Sequence, residues 1–295
     1  MDVWLNGQWI PLGDARVSAF DAGLQHGVGL FETMRAAHGK VWRLDDHLAR
    51  LARSAVELRL TGRLETAPLG EVVRQSLERS GRSEARIRLT ITGGDMNLLA
   101  RGEAAPPRHD PTILVAVQPP TRYPEEFFTK GVRVTVADAR ANPLDPFAGH
   151  KSIWYWPRLS ELQEAARKGA GEALWFSVTN HLACGCVSNV FAVRGGTLVT
   201  PLARGEEPKG GLRAPVLPGV TRGRILELAA AAGIPVERRM MTYDDLSGAD
   251  EVFLTNTSWG VLPVVGVEAV EIGSGKPGPV TTRVREAWLG DLQGS

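Results

Sequence analysis

The residues of this chain that could carry out chemistry are few and widely spaced. Cys184 and Cys186 lack a second cysteine pair or a spaced histidine pair, so we expect buried thiols and no metal site. The six histidines show no HxxxH or HxH spacing. The glycine runs match neither a phosphate loop nor a dinucleotide fingerprint, and no GxSxG is present. Short motifs therefore predict only an enzyme-like chain with two domains.

Six separated segments carry a more specific signal when they are taken together. They are HGVGLFETMR at 26–35, LDDHLARL at 44–51, HKSIWY at 150–155, SNVF at 188–191, LPGVTR at 217–222 and DEVFLTNT at 250–257. In this order and spacing they resemble the class IV aminotransferases, the fold-type IV enzymes that use pyridoxal 5'-phosphate (PLP). That family includes branched-chain and D-amino-acid aminotransferases and 4-amino-4-deoxychorismate lyase. The resemblance runs roughly from residue 3 to residue 290.

The resemblance implies a fold, a cofactor and an assembly. It implies an α/β (α+β) protein with a small N-terminal α+β domain and a larger C-terminal α/β domain. It also implies PLP as the cofactor, an amino acid and a 2-oxo acid as substrates, and a homodimer.

Lys151 is the residue on which the implied chemistry depends. The resemblance makes it the Schiff-base lysine that holds PLP and then, freed by substrate, shuttles the α-proton. That task needs an amine whose pKa is lowered by partial burial. Ile153, Trp154 and Trp156 are expected to supply apolar surroundings. Taken without the resemblance, Lys151 would be interpreted as a surface lysine at the start of a helix.

The resemblance also implies a set of cofactor-binding residues. Arg50 would bind the cofactor phosphate, a task that suits its planar fork. Val220 and Thr221 would bind the phosphate at the start of a helix, with Thr257 as a second hydroxyl donor. Tyr155 would donate to the phenolic oxygen of PLP. A solvated arginine, a helix cap, a turn threonine and a core aromatic remain the structural alternatives for these positions.

The sequence departs from the family pattern at one position. The family usually places a glutamate, which pairs with the pyridine nitrogen of PLP, five residues before the asparagine that corresponds to Asn189. Here that position is Cys184, and no acidic residue lies between Glu172 and Glu206. A thiol with a pKa of ~8.5 is mostly neutral at pH 7. Losing one charge-assisted hydrogen bond is worth about 1.5–3 kcal/mol, or roughly tenfold to a few hundredfold in carbanion stabilisation.

Signals for the substrate are weaker than those for the cofactor. The D-amino-acid branch typically binds the α-carboxylate with an Arg-x-His in the loop after a strand, and the corresponding loop at 93–101 has none. Arg88, Arg101 and Ser258 remain candidate substrate contacts.

Local patterns predict the elements that must position these residues. Asn6-Gly7 predicts a hairpin turn, and 85–92 alternates apolar and polar residues like a half-buried strand. Apolar periodicity predicts helices at 44–58, 67–79, 151–169, 221–232 and 280–290. Further strands are predicted at 113–117, 132–136, 173–178, 190–193, 197–199 and 251–254. A proline-rich stretch predicts a linker at 120–125, with a small domain at 1–119 and a large domain at 126–295 that carries the lysine.

Composition excludes several functional classes. The chain has 295 residues, with 34 Lys and Arg against 33 Asp and Glu, for a net charge of +1. That balance argues against nucleic acid as a partner. We expect no membrane segment, because no apolar run approaches the ~18–20 residues of a membrane span. Two closely spaced cysteines form no disulfide framework, so a reducing cytoplasm is the expected location.

Three functional hypotheses follow from these observations. The first is a PLP-dependent aminotransferase that moves an amino group between an amino acid and a 2-oxo acid. The second is 4-amino-4-deoxychorismate lyase, a pyruvate-releasing enzyme of folate synthesis, because elimination depends less on a protonated ring nitrogen. The third is a non-catalytic family member, and its only support is Cys184.

Overall fold

The computed structural model of the protein describes residues 2–61, 64–95 and 111–294. The chain forms two compact units. The first contains Met1–Thr121 and His150–Trp154, and the second contains Arg122–Gly149 and Tyr155–Gly294. Within the described ranges, no helix is long and apolar enough to cross a membrane.

In the residues that the structure describes, the first unit is built on a six-stranded sheet with three helices. The strands, in the order β2-β1-β6-β5-β3-β4, are β1 (Asp2–Leu5), β2 (Gln8–Pro11), β3 (Gly29–Ala37), β4 (Lys40–Val41), β5 (Ala85–Thr92) and β6 (Ile113–Gln118). All neighbours in this sheet are antiparallel. The helices are α1 (Ala22–His26), α2 (Leu44–Glu57) and α3 (Thr66–Arg79).

Local sequence explains most of this unit. Asn6 and Gly7 both have positive φ, as the two-residue turn between β1 and β2 requires. Along β5 the apolar residues are fully buried and the arginines are half-buried, which confirms the alternation. The buried side of α2, with Leu48 and Leu51, packs with α3 against the sheet in one hydrophobic core.

Residues 150–153 form an extended segment that pairs with β3, although the sequence predicts a helix from residue 151. The amide of Phe31 donates to the carbonyl of Lys151 at 2.9 Å, and the amide of Ile153 donates to the carbonyl of Gly29 at 3.0 Å. These bonds group Lys151 with the first unit rather than with the larger C-terminal part. Helix α5 begins only at Trp156 and has Pro157 in its first turn, where proline is favoured.

The second unit is built on a nine-stranded mixed sheet. Its order is β12-β11-β10-β13-β14-β7-β8-β9, with β15 on β14. The strands are β7 (Val132–Ala141), β8 (Glu172–Ser177), β9 (Leu182–Gly185), β10 (Asn189–Arg194), β11 (Thr197–Thr200), β12 (Val236–Arg238), β13 (Glu251–Asn256), β14 (Gly260–Val267) and β15 (Val270–Glu271). The helices are α4 (Glu126–Thr129), α5 (Trp156–Arg167), α6 (Val220–Ala231), α7 (Tyr243–Ser247) and α8 (Pro279–Gln293).

The central strands of this sheet are buried along nearly their whole length, which explains what the sequence patterns find and miss. Strands β8, β10 and β13 carry continuous apolar runs, and the sequence predicts all three. The patterns do not predict β14. It contains Pro263, a residue that usually argues against a strand. They also miss β3 in the first unit, because a buried carboxylate, Glu32, interrupts its apolar run.

Candidate active site

In the first unit, the extended segment at 150–153 places the Lys151 amine over an aromatic ring. The Lys151 Nζ lies 4.4 Å from the centroid of the Phe31 ring, and the Arg88 guanidinium carbon lies 3.8 Å from the same centroid. His150 anchors the start of the segment, since its Nδ1 hydrogen-bonds with the Ser54 hydroxyl on α2 at 2.9 Å. The Lys151 amine and the Arg88 guanidinium therefore both contact the Phe31 ring, in the same compact unit.

A buried network of three charged or polar side chains lies in the same unit. The Glu32 carboxylate accepts hydrogen bonds from Arg50 Nε at 2.9 Å and from a terminal nitrogen of Arg50 at 2.5 Å. His47 Nδ1 lies 2.7 Å from Glu32 Oε2, the oxygen that also accepts from the terminal nitrogen. All three side chains are buried. The guanidinium of Arg50 is thus held in place by Glu32, a partner that the sequence patterns do not reveal.

The protonation of this network follows from its charges. Burial alone would raise the pKa of Glu32, but Arg50 and His47 outweigh it and lower that pKa to about 2. Burial lowers the pKa of His47, and the positive charges of Arg50 and Lys151 lower it further against the opposing effect of Glu32. At neutral pH the network consists of a carboxylate, a guanidinium and a neutral imidazole.

In the second unit, the first turn of α6 is held by an asparagine from β10. The Asn189 side-chain amide donates to the carbonyl of Leu217 at 2.8 Å. The fit is close, because a Cβ added at Gly219 would collide with Asn189 Oδ1. Val220 and Thr221 open the helix, and the Thr221 hydroxyl is buried with no hydrogen-bond partner in the described ranges. First-turn amides and an unsatisfied hydroxyl are the donors that bind a phosphate.

The turn that carries Thr257 lies at the same edge of the sheet. Asn189 at the start of β10 is paired with Thr255 near the end of β13. The Asn256 Oδ1 accepts the amides of Ser258 and Trp259 at 2.9 and 3.0 Å, and its Nδ2 donates to the Val187 carbonyl at 3.3 Å. The structure therefore brings the Thr257 turn and the start of α6 to one end of this unit, as a shared phosphate site requires.

Tyr155 and Cys184 lie in a second cluster of this unit. Tyr155 is the residue immediately before α5 and does not share a helix with Lys151. Cys184 is buried on β9, and Arg158 of α5 donates to its Sγ at 3.4 Å. The guanidinium carbon of Arg158 lies 5.9 Å from the Tyr155 ring centroid. Arg158 is a cationic neighbour of Cys184 that no sequence signal indicates.

Glu172 positions the loop that follows Cys184. Its fully buried carboxylate accepts hydrogen bonds from the amides of Cys186 and Val187 and from the Ser188 hydroxyl, all at 3.1–3.2 Å. A fourth bond comes from its own neighbour, Ala173. Because both oxygens bond to this loop, the Glu172 carboxylate does not replace the glutamate that the family pattern places at the position of Cys184.

Arg101, a candidate substrate contact, lies outside the described residues. Trp154 and Trp156 are exposed in their respective units, so they do not supply the apolar surroundings expected for Lys151. In the first unit that contact is made by Phe31 instead.

Comparison with known proteins identifies the family. The family model for amino-transferase class IV matches residues 29–267. The chain belongs to the class IV aminotransferases. It is therefore an enzyme that uses PLP to move an amino group between an amino acid and a 2-oxo acid.

Individual relatives match along almost the whole chain. The branched-chain-amino-acid aminotransferase of Salmonella typhimurium is 29% identical over 99% of this chain and 93% of its own length. The crystal structure of the Escherichia coli branched-chain amino acid aminotransferase is 29% identical, with a TM-score of 0.88 over 99% of this chain and 95% of that chain. The 4-amino-4-deoxychorismate lyase of Pseudomonas aeruginosa is also 29% identical, with a TM-score of 0.83 over 99% of both chains. The lyase matches no better than the aminotransferases do.

The described residues fit the family cofactor. The buried, unpartnered hydroxyl of Thr221 and the first-turn amides of α6 suit a phosphate. Lys151 provides a primary amine on an ordered backbone. Cys184 is the position at which the fit departs from the family pattern.

Replacing Glu32 with glutamine is expected to destabilise the protein and to change its response to acid. The folded pKa of Glu32 is about 2, against 4.5 for the unperturbed group, so its contribution is complete above pH ~4.5 and is lost as the pH falls towards ~2. Glu32→Gln leaves Arg50 buried without its counter-charge, which costs about 3–5 kcal/mol at pH 7. Urea unfolding between pH 7 and pH 3 measures both effects.

Glu71→Gln is the matched control, since Glu71 is exposed on α3. It is expected to change the free energy of unfolding by less than about 0.5 kcal/mol. If the free energy of unfolding of Glu32→Gln falls between about pH 5 and about pH 3 by as much as that of the wild type, Glu32 is not the group responsible for the acid-dependent loss.

Gly219→Ala is expected to disturb the start of α6. The new Cβ collides with Asn189 Oδ1, so either the Asn189–Leu217 bond breaks or the turn moves, at a cost of about 1–3 kcal/mol. Titration with PLP, followed by absorbance, should show weaker binding. Gly223→Ala in the same helix meets no atom within 4 Å and should bind PLP normally and be slightly more stable. Equal PLP affinity in both variants would show that this turn does not position the phosphate.

Proposed function

We propose that Lys151 is the residue that binds PLP and moves the substrate proton in this enzyme. The observation that carries the proposal is the pairing of residues 150–153 with β3, which orders the lysine backbone and holds its amine over Phe31. PLP supplies an electron-withdrawing ring that stabilises charge at the substrate α-carbon. Lys151 Nζ would take the proton from that carbon and deliver it to C4′ of the cofactor.

Each of the two units contains residues that we propose to bind the phosphate of PLP. In the first unit, Arg50 offers a guanidinium whose orientation is set by Glu32. In the second unit, Val220 and Thr221 offer helix amides and a hydroxyl, and Thr257 offers a second hydroxyl in the neighbouring turn. Amides and hydroxyls can bind phosphate without a change in their own charge.

Two further residues are proposed to face the cofactor ring. Tyr155 donates its hydroxyl to the phenolic oxygen of PLP, and burial, the largest effect, raises its pKa so that it stays protonated. Cys184 takes the position that faces the ring nitrogen, five residues before Asn189. Its side chain is a thiol that accepts a hydrogen bond from Arg158, so that nitrogen has no carboxylate partner at this position.

Arg88 is proposed to bind the substrate carboxylate. It lies over the same Phe31 ring as Lys151, so a carboxylate bound there belongs to a molecule within reach of the amine. Arg101 and Ser258 remain proposed secondary contacts. The name of the Salmonella typhimurium relative makes branched-chain amino acids the first substrates to test.

We also propose a homodimer in the cytoplasm. Several large apolar side chains are exposed in each unit, namely Phe20, Leu24 and Trp154 in the first and Leu144, Phe147 and Trp156 in the second. A subunit interface would remove such surface from water. Both cysteines are free thiols, as a reducing compartment favours. Residues 120–125 remain our proposed interdomain linker.

Borohydride reduction tests the central assignment. Purified protein mixed with PLP is reduced, digested and mapped by mass spectrometry, and the phosphopyridoxyl adduct is expected on the peptide that contains Lys151. Lys151→Ala should lose both the adduct and the turnover. Lys168→Ala, which changes an exposed lysine after α5, should keep both. An adduct on a different lysine, or turnover retained in Lys151→Ala, would refute the assignment.

Substitution of Arg88 tests the substrate contact. Arg88→Gln removes a charge-assisted bond to the carboxylate, so KM for the amino acid should rise about 10- to 100-fold. The absorbance of bound PLP should stay unchanged. Arg86→Gln alters an arginine two residues earlier on the same side of β5 and should leave KM unchanged. If both variants change KM equally, Arg88 has no special role.

A further inference from the structure

Arg158 is a cation in an unusual setting. It is partly buried at the first turn of α5, and in the described part of the chain it forms no ion pair with a carboxylate. Buried arginines are ordinarily paired with an anion. The charge of Arg158 is instead directed at a thiol and two backbone carbonyls.

The position of this guanidinium does not depend on the thiol alone. One terminal nitrogen donates to the carbonyls of Gly185 and Cys186 at 3.1 and 3.2 Å, in addition to Cys184 Sγ at 3.4 Å. The guanidinium carbon also lies 5.0 Å from the centroid of the Trp175 ring. Backbone bonds and an aromatic face therefore hold the cation beside Cys184 even when residue 184 is changed.

The other ionisable groups around Arg158 are protonated or bonded to other partners in the described residues. Burial, the largest effect, raises the pKa of Tyr155 and that of Cys186, so both stay protonated at neutral pH. Cys186 Sγ accepts a bond from the Trp175 indole. Both oxygens of the Glu172 carboxylate are engaged by the amides and hydroxyl of its loop, and in the described residues Arg158 donates no hydrogen bond to it. The group next to Cys184 is thus a positively charged hydrogen-bond donor, the guanidinium of Arg158.

Donors and acceptors select opposite protonation states of a pyridine nitrogen. A carboxylate is an acceptor and favours a protonated nitrogen, which donates. A guanidinium only donates, and a thiol whose sulfur already accepts from Arg158 can donate its S–H, so both suit a nitrogen that keeps its lone pair. A positive charge at short range disfavours protonation further.

We propose that Arg158 and Cys184 together present hydrogen-bond donors to the ring nitrogen of bound PLP, so that this nitrogen stays unprotonated in the holoenzyme. The inference rests on the proposed function, in which Cys184 faces the ring nitrogen. It adds Arg158 as the residue that decides the protonation state.

Nitrogen-15 NMR of the holoenzyme with PLP labelled at the ring nitrogen tests this proposal directly. Protonation moves the signal of a pyridine nitrogen strongly upfield, so the protonation state is read without any turnover. In the wild type we expect the signal of an unprotonated nitrogen at neutral pH. A signal from a protonated nitrogen in the wild type overturns the proposal.

Variants separate the contribution of Arg158 from that of Cys184. Cys184→Glu alone should leave the nitrogen largely unprotonated, because Arg158 pairs with the new carboxylate. Adding Arg158→Gln to Cys184→Glu should free the carboxylate and protonate the nitrogen, a shift of about 1–3 pH units in its titration. Arg167→Gln, at an exposed position at the end of α5, should leave the titration as in the wild type.

The outcomes distinguish this inference from the proposed function. If PLP forms no adduct with Lys151, the proposed function fails. If PLP is bound at Lys151 and Cys184→Glu alone protonates the nitrogen as fully as the double variant does, only the role of Arg158 fails. Should the double variant not fold, the wild type and Cys184→Glu still decide the matter, since the proposal requires an unprotonated nitrogen in both.

Discussion

The pairing of residues 150–153 with β3 is the constraint on which the first unit's chemistry depends. An exposed lysine on a long flexible side chain costs about 2 kcal/mol of rotamer entropy to fix. Here the carbonyl of Lys151 and the amide of Ile153 are already bonded to β3, and the amine contacts the Phe31 ring that the same strand provides. Part of the ordering that catalysis needs is therefore completed when the protein folds.

Strand β3 organises more than the lysine. One residue after Phe31, its chain carries Glu32 to the opposite side of the strand, where the carboxylate binds Arg50 and His47 of α2. A charged group in the core is expensive unless it is paired and fully hydrogen-bonded. This pairing ties α2 to β3 by a directional interaction in addition to apolar packing. It also explains why a carboxylate occurs among the buried residues of this strand.

The features that can be predicted from the sequence are those that depend on neighbouring residues. The hairpin at Asn6-Gly7, helix α2 and the alternation of β5 follow local rules and are confirmed. The helix predicted from residue 151 is wrong at its start, because the strand that pairs with this segment is far away in the chain. Partners of single side chains, such as Glu32 for Arg50 and Arg158 for Cys184, have no local signature.

The absence of a carboxylate at Cys184 is visible in the sequence, but its meaning depends on Arg158. Without the arginine, a thiol in place of a carboxylate is only a missing interaction, and a single substitution would restore it. With the arginine fixed by two backbone carbonyls, the site has exchanged an acceptor for a cationic donor. The groups suited to phosphate, in α6 and the Thr257 turn, are held by the neutral amides of Asn189 and Asn256 and are separate from this exchange. In the function proposed here, cofactor binding and the strength of the electron sink are therefore set by different residues, and the second can change while the first is kept.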